Sequence, residues 1–401
     1  MSPFSGLRRL GLAGIVNRCR VAVADLGDWL GSLSLSRDHH IPLQPWRFAV
    51  LGRSSRVAKL VPSSKRVPAP RVALYEKEGG VHGRRPPTSI RIVARRLYHV
   101  RNAIVLRGHV ILKKTRWGVR VPLHSFYARR KRWHLALRKK SGDVWVGGSL
   151  KRRATTRIEG PVLVADSPDY AYGHVLLEIL LRVPYLDHCP PGTRILTNAP
   201  MTRDYLAMFG ALGVGPERIV QATGPVVCDD VYFGDNLVDI YRFVTPTAWD
   251  CFARMKRLGD GSTTQTYERI YVTRRGVGKR PLVNEAVIED VFRSFGFTVL
   301  APETLPIEDQ IRIFSEARMI AGPRGSGLHN IVFSAPDAKL LLLTFPDFLL
   351  PIDTVLMRED DTLGYVFGER QDWKKGESRY LSKWTIDPAL VERAIRSHFG
   401  L

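Results

Sequence analysis

Apolar positions keep a regular beat in the last 240 or so residues of this chain, where short hydrophobic runs alternate with stretches of helical spacing. The pattern predicts a strand at Pro161–Ala165, an amphipathic helix over Tyr170–Leu186, a strand at Arg194–Thr197 and a helix over Thr202–Leu212 ended by Gly213. Residues 218–245 read as further short strands, and a helix follows near Pro246–Leu258. Beyond the polar stretch Gly259-Asp260-Gly261-Ser262-Thr263-Thr264 the alternation is cleaner. Strands are predicted at Ile270–Thr273, Thr298–Ala301, Met319–Gly322 and Lys339–Phe345. Helices are predicted at Asn284–Phe295, closed by Gly296, and at Ile307–Ala317 and Leu328–Phe333. Strands alternating with helices argue for a parallel sheet covered on both faces, with ligands at the carboxyl ends of its strands. Two such α/β units, 161–260 and 261–401, with Gly259–Thr264 as the hinge, make a protein of two Rossmann-like lobes.

The earlier residues have another rhythm. Ile90–Val93, Ala103–Leu106, His109–Leu112 and Val144–Val146 are short β-like runs separated by Arg-Gly and Ser-Gly-Asp turns, so 89–160 is expected to form a small, basic, β-rich region. Residues 36–90 are rich in Pro, Arg, Ser and Gly and read as loops and extended pieces. Before them, Leu7, Leu10, Leu12, Ile15 and Val16 mixed with Arg8, Arg9, Arg18 and Arg20 suit a basic amphipathic helix, lying on anionic lipid or packed on the protein. Residues 1–88 are thus expected as a basic N-terminal segment of helix plus loops.

Charge sharpens this division. The 401 residues carry 61 Lys and Arg against 38 Asp and Glu, a formal net of +23. Residues 1–160 hold 35 basic and 7 acidic side chains, a balance of +28, and the remainder comes to −5. The basic part is expected to face phosphate-rich or acidic matter, and the near-neutral part to carry the ordinary fold. Four cysteines, Cys19, Cys189, Cys228 and Cys251, lack CxxC spacing, which argues against a disulfide scaffold or structural zinc and fits a reducing compartment. Gly11–Val16 is too short to span a bilayer, and its flanking arginines spoil it as a signal-peptide core.

Candidate chemistry sits where the predicted strands end. Gly322-Pro323-Arg324-Gly325-Ser326-Gly327-Leu328-His329-Asn330 reads as a strand breaking into a glycine turn and restarting as a helix, which aims backbone N–H groups and a positive helix end at one spot. Such a spot suits a phosphate, although the chain has neither a dinucleotide fingerprint nor a P-loop lysine. Arg274 and Arg275 follow another strand, where a forked guanidinium could grip a diphosphate or form a solvated basic turn. Glu303 could accept hydrogen bonds from ribose hydroxyls or a base edge, or cap the next helix. His329 could be functional or a satisfied, partly buried histidine. Upstream, His174 and Glu178 are four apart and share a helix face. They could form a general base for an acceptor hydroxyl, or a buried pair that fixes packing.

Taken together, these residues resemble glycosyltransferase family 61, a group that includes plant xylosyltransferases and capsular polysaccharide biosynthesis proteins. The resemblance runs from about Pro161 to Phe345. It rests on Tyr271-Val272-Thr273-Arg274-Arg275, Asn284-Glu285, Gly296-Phe297, Pro302-Glu303, Gln310-Ile311, Phe314, Ala317 and Gly322–Asn330, with Tyr172-Gly173-His174, Leu177-Glu178 and Arg182 upstream. It implies an inverting, metal-independent transferase of the GT-B type, taking a nucleotide-sugar donor to a glycan or lipid-linked acceptor in surface polysaccharide synthesis. It further implies that Arg274 and the loop Gly325, Ser326 and Gly327 bind the diphosphate, that Glu303 sits near the nucleoside, that Asn330 orients the loop, and that Arg275, Arg324 and His329 belong to the same nucleotide-sugar site. His174 and Glu178 would face the acceptor. The chain departs from the family's usual pattern at Arg324, where His is usual, and at His329, where a small or hydroxyl residue is usual.

The location this implies is cytoplasmic, with the basic N-terminal half as a means of peripheral attachment to the inner face of an anionic membrane. Two other readings stand beside it. Arg116, Arg120, Arg129, Arg130, Lys131 and Arg132, interleaved with Trp117, Phe126, Tyr127 and Trp133, could grip a polyanion or nucleic acid, but no recognised nucleic-acid motif accompanies them. A degenerate homologue that binds glycan without turnover is the other.

Overall fold

The computed structural model describes residues 40–42, 56–61, 65–76, 89–92, 95–106, 110–114, 120–124, 138–141, 144–146 and 156–401, apart from 168, 223, 241, 347–350 and 372–381. The described residues fall into two compact units. One takes those up to Arg56 together with His99–Val162 and Ala222–Tyr232. The other takes Val57–Tyr98, Leu163–Gln221 and Phe233–Leu401.

In the first unit the β-like runs pair antiparallel. Val110–Lys114 lies between residues 103–106 and Arg120–His124. His40–Pro42, Val144–Val146 and Arg138–Ser141 make a second small antiparallel sheet. His99 stacks on Tyr232 with ring centroids 4.5 Å apart, and its Nε2 lies 2.8 Å from Asp230 Oδ1. The basic amphipathic helix expected over residues 1–35, and the side chains of the Arg and aromatic residues between 116 and 133, lie outside the described residues.

The second unit is α/β. In chain order it holds β1 (Arg71–Tyr75), β2 (Arg194–Thr197), α1 (Arg203–Ala211), β3 (Ile219–Gln221) and α2 (Pro246–Lys256). Then follow β4 (Arg269–Val272), α3 (Glu285–Ser294), β5 (Thr298–Leu300), α4 (Ile307–Glu316), β6 (Met319–Pro323), β7 (Lys339–Thr344), β8 (Thr362–Phe367) and α5 (Pro388–Ile395). Six of these strands form one parallel sheet in the order β5-β4-β6-β7-β8-β1. Strands covered on both faces need apolar residues on both, and Leu340-Leu341-Leu342-Leu343 in β7 is buried throughout. Helix α3 buries Ile288 and Phe292, one turn apart, and α4 buries Ile307, Ile311 and Phe314 along one stripe. Ile288 and Phe292 of α3 join Tyr271, Leu341, Trp384 and Phe399 in one core.

Three expectations differ from this structure. Residues 36–90 read as loops and extended pieces, yet Arg71–Tyr75 is the edge strand of the six-stranded sheet, with Val72 opposite Leu363 and Leu74 opposite Tyr365. An edge strand is only partly buried and so shows no long apolar run, and the prolines just before it mask the rest. The stretch read as a hinge is packed instead: Arg257–Gly261 is a 3-10 turn with Gly259 buried, and Ser262 Oγ donates to Asp309 Oδ1 on α4 at 2.6 Å. The segments on either side of it belong to one compact unit. Finally, Tyr170–Leu186 is not one regular helix. A single α-turn at Tyr172–His174 runs into a π-turn at Val175–Ile179 and then a 3-10 helix at Leu180–His188. Pro184 lies within that last helix and lacks the N–H that regular bonding needs.

Candidate functional site

The sheet order locates a crevice. From β4 the chain moves to β5 on one side, then returns past β4 to place β6 on the other. Loops leaving two neighbouring strands in opposite directions open a gap at their carboxyl ends, where α/β proteins bind ligands. The loops are Thr273-Arg274-Arg275-Gly276 after β4 and Arg324-Gly325 after β6. A cleft of about 340 Å³ opens there, and Arg274, Glu303, Gly325, Ser326 and Gly327 all line it. Tyr172, Thr202, Asp204 and Tyr205 face it from the upstream segments, within the same unit.

Arg274 is held from several sides. Its backbone N–H donates to Glu285 Oε1 at 2.7 Å, and its Nη2 donates to the Lys279 carbonyl at 3.1 Å. Thr273 Oγ1 donates to Glu289 at 2.6 Å and lies 3.2 Å from Glu285, so two buried carboxylates of α3 brace the loop. Burial pushes the Glu285 carboxyl above its usual range, most of all among its influences. Burial also lowers the Arg274 guanidinium, against the opposing charges of Glu285 and Glu303. A Cβ on Gly325 would overlap that guanidinium, so only glycine lets the two loops meet this closely.

After Gly325 the chain enters a 3-10 helix, Ser326–Phe333, rather than an α-helix confined to Leu328–Phe333. The first N–H groups of any helix lack partners within it, and here they start at the cleft. Asn330, on this helix, is fully buried. It accepts from the Tyr172 hydroxyl and donates through Nδ2 to Gln310 Oε1 at 3.0 Å. Gln310 Nε2 in turn donates to the Leu305 carbonyl at 2.9 Å. A chain of amides thus runs from the upstream turn, through the glycine-loop helix, to the segment that carries Glu303.

The remaining residues predicted for the anion site stand away from the cleft wall. Arg275 turns back to α3, its Nη1 3.0 Å from Glu289 Oε2. Arg324 is buried and its Nε donates to the buried Asp353, whose carboxyl is raised by burial in spite of the guanidinium beside it. His329 is half-buried, with Nδ1 buried and without a hydrogen-bond partner among the described residues, and it packs on Gly173 so closely that a Cβ there would overlap its ring. Burial, with the positive charges of Arg324, His174 and Arg274, pushes the His329 imidazole down to about 3, so it is neutral at ordinary pH.

The His174 turn abuts this assembly. His174 Nδ1 lies 3.1 Å from Glu178 Oε1, and Ser167 Oγ donates to Glu178 Oε2 at 2.7 Å. Burial works against a charge on His174, but the hydrogen bond and charge of Glu178, with the charge of Asp169, outweigh it and hold the imidazole above its ordinary value. Neither His174 nor Glu178 lines the cleft itself, whereas Tyr172 of the same turn does.

The sequence reading did not assign roles to Tyr172, Thr202, Asp204, Tyr205, Glu285, Gln310 or Asp353. Tyr172, Glu285 and Gln310 are visible in the sequence only as parts of the resemblance. Asp204 and Tyr205 carried no signal beyond the start of a helix, which Thr202 caps by accepting the Tyr205 N–H at 3.2 Å. No group of three His, Cys, Asp or Glu side chains among the described residues is placed to hold a metal ion.

Residues 172–341, from the first cleft-lining tyrosine to the middle of β7, match the model of the glycosyltransferase 61 family. No curated protein matches the chain.

Proposed function

We propose that the cleft holds the diphosphate of a nucleotide-sugar donor and that the protein transfers the sugar, with inversion, to a hydroxyl of a glycan or lipid-linked glycan. What supports this most is the Arg274 guanidinium nested on Gly325 at the switch point, where a diphosphate would meet a fixed forked donor and the free N–H groups of a helix start. In this reading Glu303 meets the nucleoside and His174, held by Glu178, takes the acceptor proton. Inversion needs a single displacement, so a base and positive charge on the leaving diphosphate suffice and no covalent nucleophile is required. The GT-B arrangement follows the same reading, with residues 261–401 serving the donor and 161–260 the acceptor, and the reaction proceeds without a metal. The sugar transferred is a hexose or pentose destined for a surface polysaccharide such as a capsule.

The excess of +28 over residues 1–160 supports a cytoplasmic protein attached peripherally to an anionic membrane where lipid-linked acceptors lie. One observation favours a second reading. Arg324 stands where the family usually has His, and its Nε is committed to buried Asp353, which suits a degenerate homologue that binds glycan without turnover. The two readings separate in one experiment: incubation with a panel of sugar nucleotides and glycan acceptors in the presence of a chelator, followed by NMR of the product. Transfer with an inverted anomeric centre is the expected result. Glycan binding without transfer would favour the second reading, and a retained anomeric configuration would contradict the first.

A further inference from the structure

We propose that Ser167 is a positioning residue for sugar transfer, acting through Glu178 to hold His174 with Nδ1 on the carboxylate and Nε2 turned to the acceptor hydroxyl. The proposal rests on the reading of His174 as the base. Ser167 is 1% exposed and Glu178 3%, so neither group is kept in place by solvent. The hydroxyl donates to Glu178 Oε2 at 2.7 Å, while Oε1 lies 3.1 Å from His174 Nδ1. Each carboxylate oxygen therefore has its own neighbour, and the plane of the group is fixed by both.

An ionised carboxylate can only accept, so the proton on a neutral His174 belongs on Nδ1 and the lone pair on Nε2. Without Ser167 the second oxygen of a buried carboxylate would lose a hydrogen bond in a place where water cannot replace it. The serine is itself placed by the turn that leads to His174. Its Oγ accepts the Asp169 N–H at 3.4 Å, and Asp169 Oδ1 accepts the Ala171 N–H at 3.0 Å, immediately before Tyr172-Gly173-His174.

The charged and titratable groups facing His174 come from four places. They are Glu178 in its own turn, Asp169 in the preceding loop with Oδ2 4.0 Å from Nε2, Lys279 after β4, and His329 on the glycine-loop helix. Arg182, one turn further on, faces Glu178. In the transfer step the acceptor O–H gives its proton to Nε2 as the oxygen bonds the anomeric carbon. The bond from that carbon to the diphosphate oxygen breaks, and its electron pair leaves with the diphosphate.

The test uses the full chain with Ser167→Ala, Ser167→Cys and Ser167→Thr. The His174 ring is titrated by NMR, its signals assigned by their loss in His174→Gln, and the pH profile of kcat/KM for transfer is recorded. In Ser167→Ala the imidazole should titrate about one pH unit lower, because the freed carboxylate swings off Nδ1. The acid limb of the profile should move down with it. Cysteine, a weak donor of similar shape, should give the same direction of shift even where alanine does not fold, and threonine should restore both readings. An unmoved His174 titration in folded Ser167→Ala or Ser167→Cys, with transfer present in the wild type, would overturn the role of Ser167 alone. No transfer by the wild type would overturn the reading of His174 as base, and the proposal with it.

Discussion

Arg274 and Asn330 show how differently two side chains of one site are held. Arg274 is pinned by its backbone and its neighbours while its guanidinium reaches a cleft. Replacing it by alanine should weaken nucleotide-diphosphate binding by about tenfold or more, the loss expected for charge-assisted hydrogen bonds of roughly 1.5–3 kcal/mol. Asn330 reaches no cleft and uses both ends of its amide internally. Asn330→Ala would leave the Tyr172 hydroxyl and Gln310 Oε1 unpaired, and urea unfolding should show a loss of about 1–3 kcal/mol for each group left unsatisfied. His329 supplies a pH test. Its folded-state value, about 3, lies below its ordinary 6.5. Between those values the unfolded chain binds more protons, so stability is complete above about 6.5 and is lost as the pH falls toward 3. His398, pushed to about 4 by burial and then by Lys339, adds to the same slope. Against the opposite pull of the raised Glu285, Asp353 and His174, acidification should therefore lower the urea midpoint of the wild type more than that of His329→Gln.

Among elements, the turn at Tyr172–His174 depends on one close approach. Gly173 faces the His329 ring with no room for a Cβ, so Gly173→Ala should push the upstream turn off the glycine-loop helix. The expected cost is about 1–3 kcal/mol of stability, as for other overpacked sites. Transfer should fall too, while the far-UV circular dichroism of the folded protein stays as in the wild type. The helices that the sequence made legible are those with a stripe and a stop, such as α3, with Ile288 and Phe292 inside and Gly296 just beyond its end. The upstream helix was harder to read. Val175–Ile179 is buried on every side, and a segment buried all round has no stripe whose period could distinguish an α-turn from a π-turn. The pairing of His174 with Glu178 was legible because it depends only on spacing. Ser167 was not, since its bond to Glu178 is made by the fold of the loop between them.

Across the whole molecule, the alternation of strands and helices foretold a parallel sheet, and β4 to β7 lie where that alternation put them. Strand order was not legible, and it is the order that puts the loops after β4 and β6 on one crevice. Nor was the recruitment of Arg71–Tyr75 as the sixth strand, because its partner β8 is remote in sequence and a half-buried edge leaves a faint pattern. Of the candidate residues, the fold gathers Arg274, Glu303 and Gly325–Gly327 on the cleft, while Arg275 and Arg324 are engaged by Glu289 and Asp353. Sequence could foresee a positive charge at each of those positions but not the buried carboxylate that meets it. The central claim is that the crevice between β4 and β6 binds a nucleotide diphosphate through Arg274. Equilibrium titration of a panel of nucleoside diphosphates into the wild type and Arg274→Ala, with a chelator present, tests it directly. At least one diphosphate should bind the wild type, and it should bind the variant about tenfold more weakly or worse. Equal affinity for the two proteins, or no binding of any diphosphate to the wild type, would contradict it.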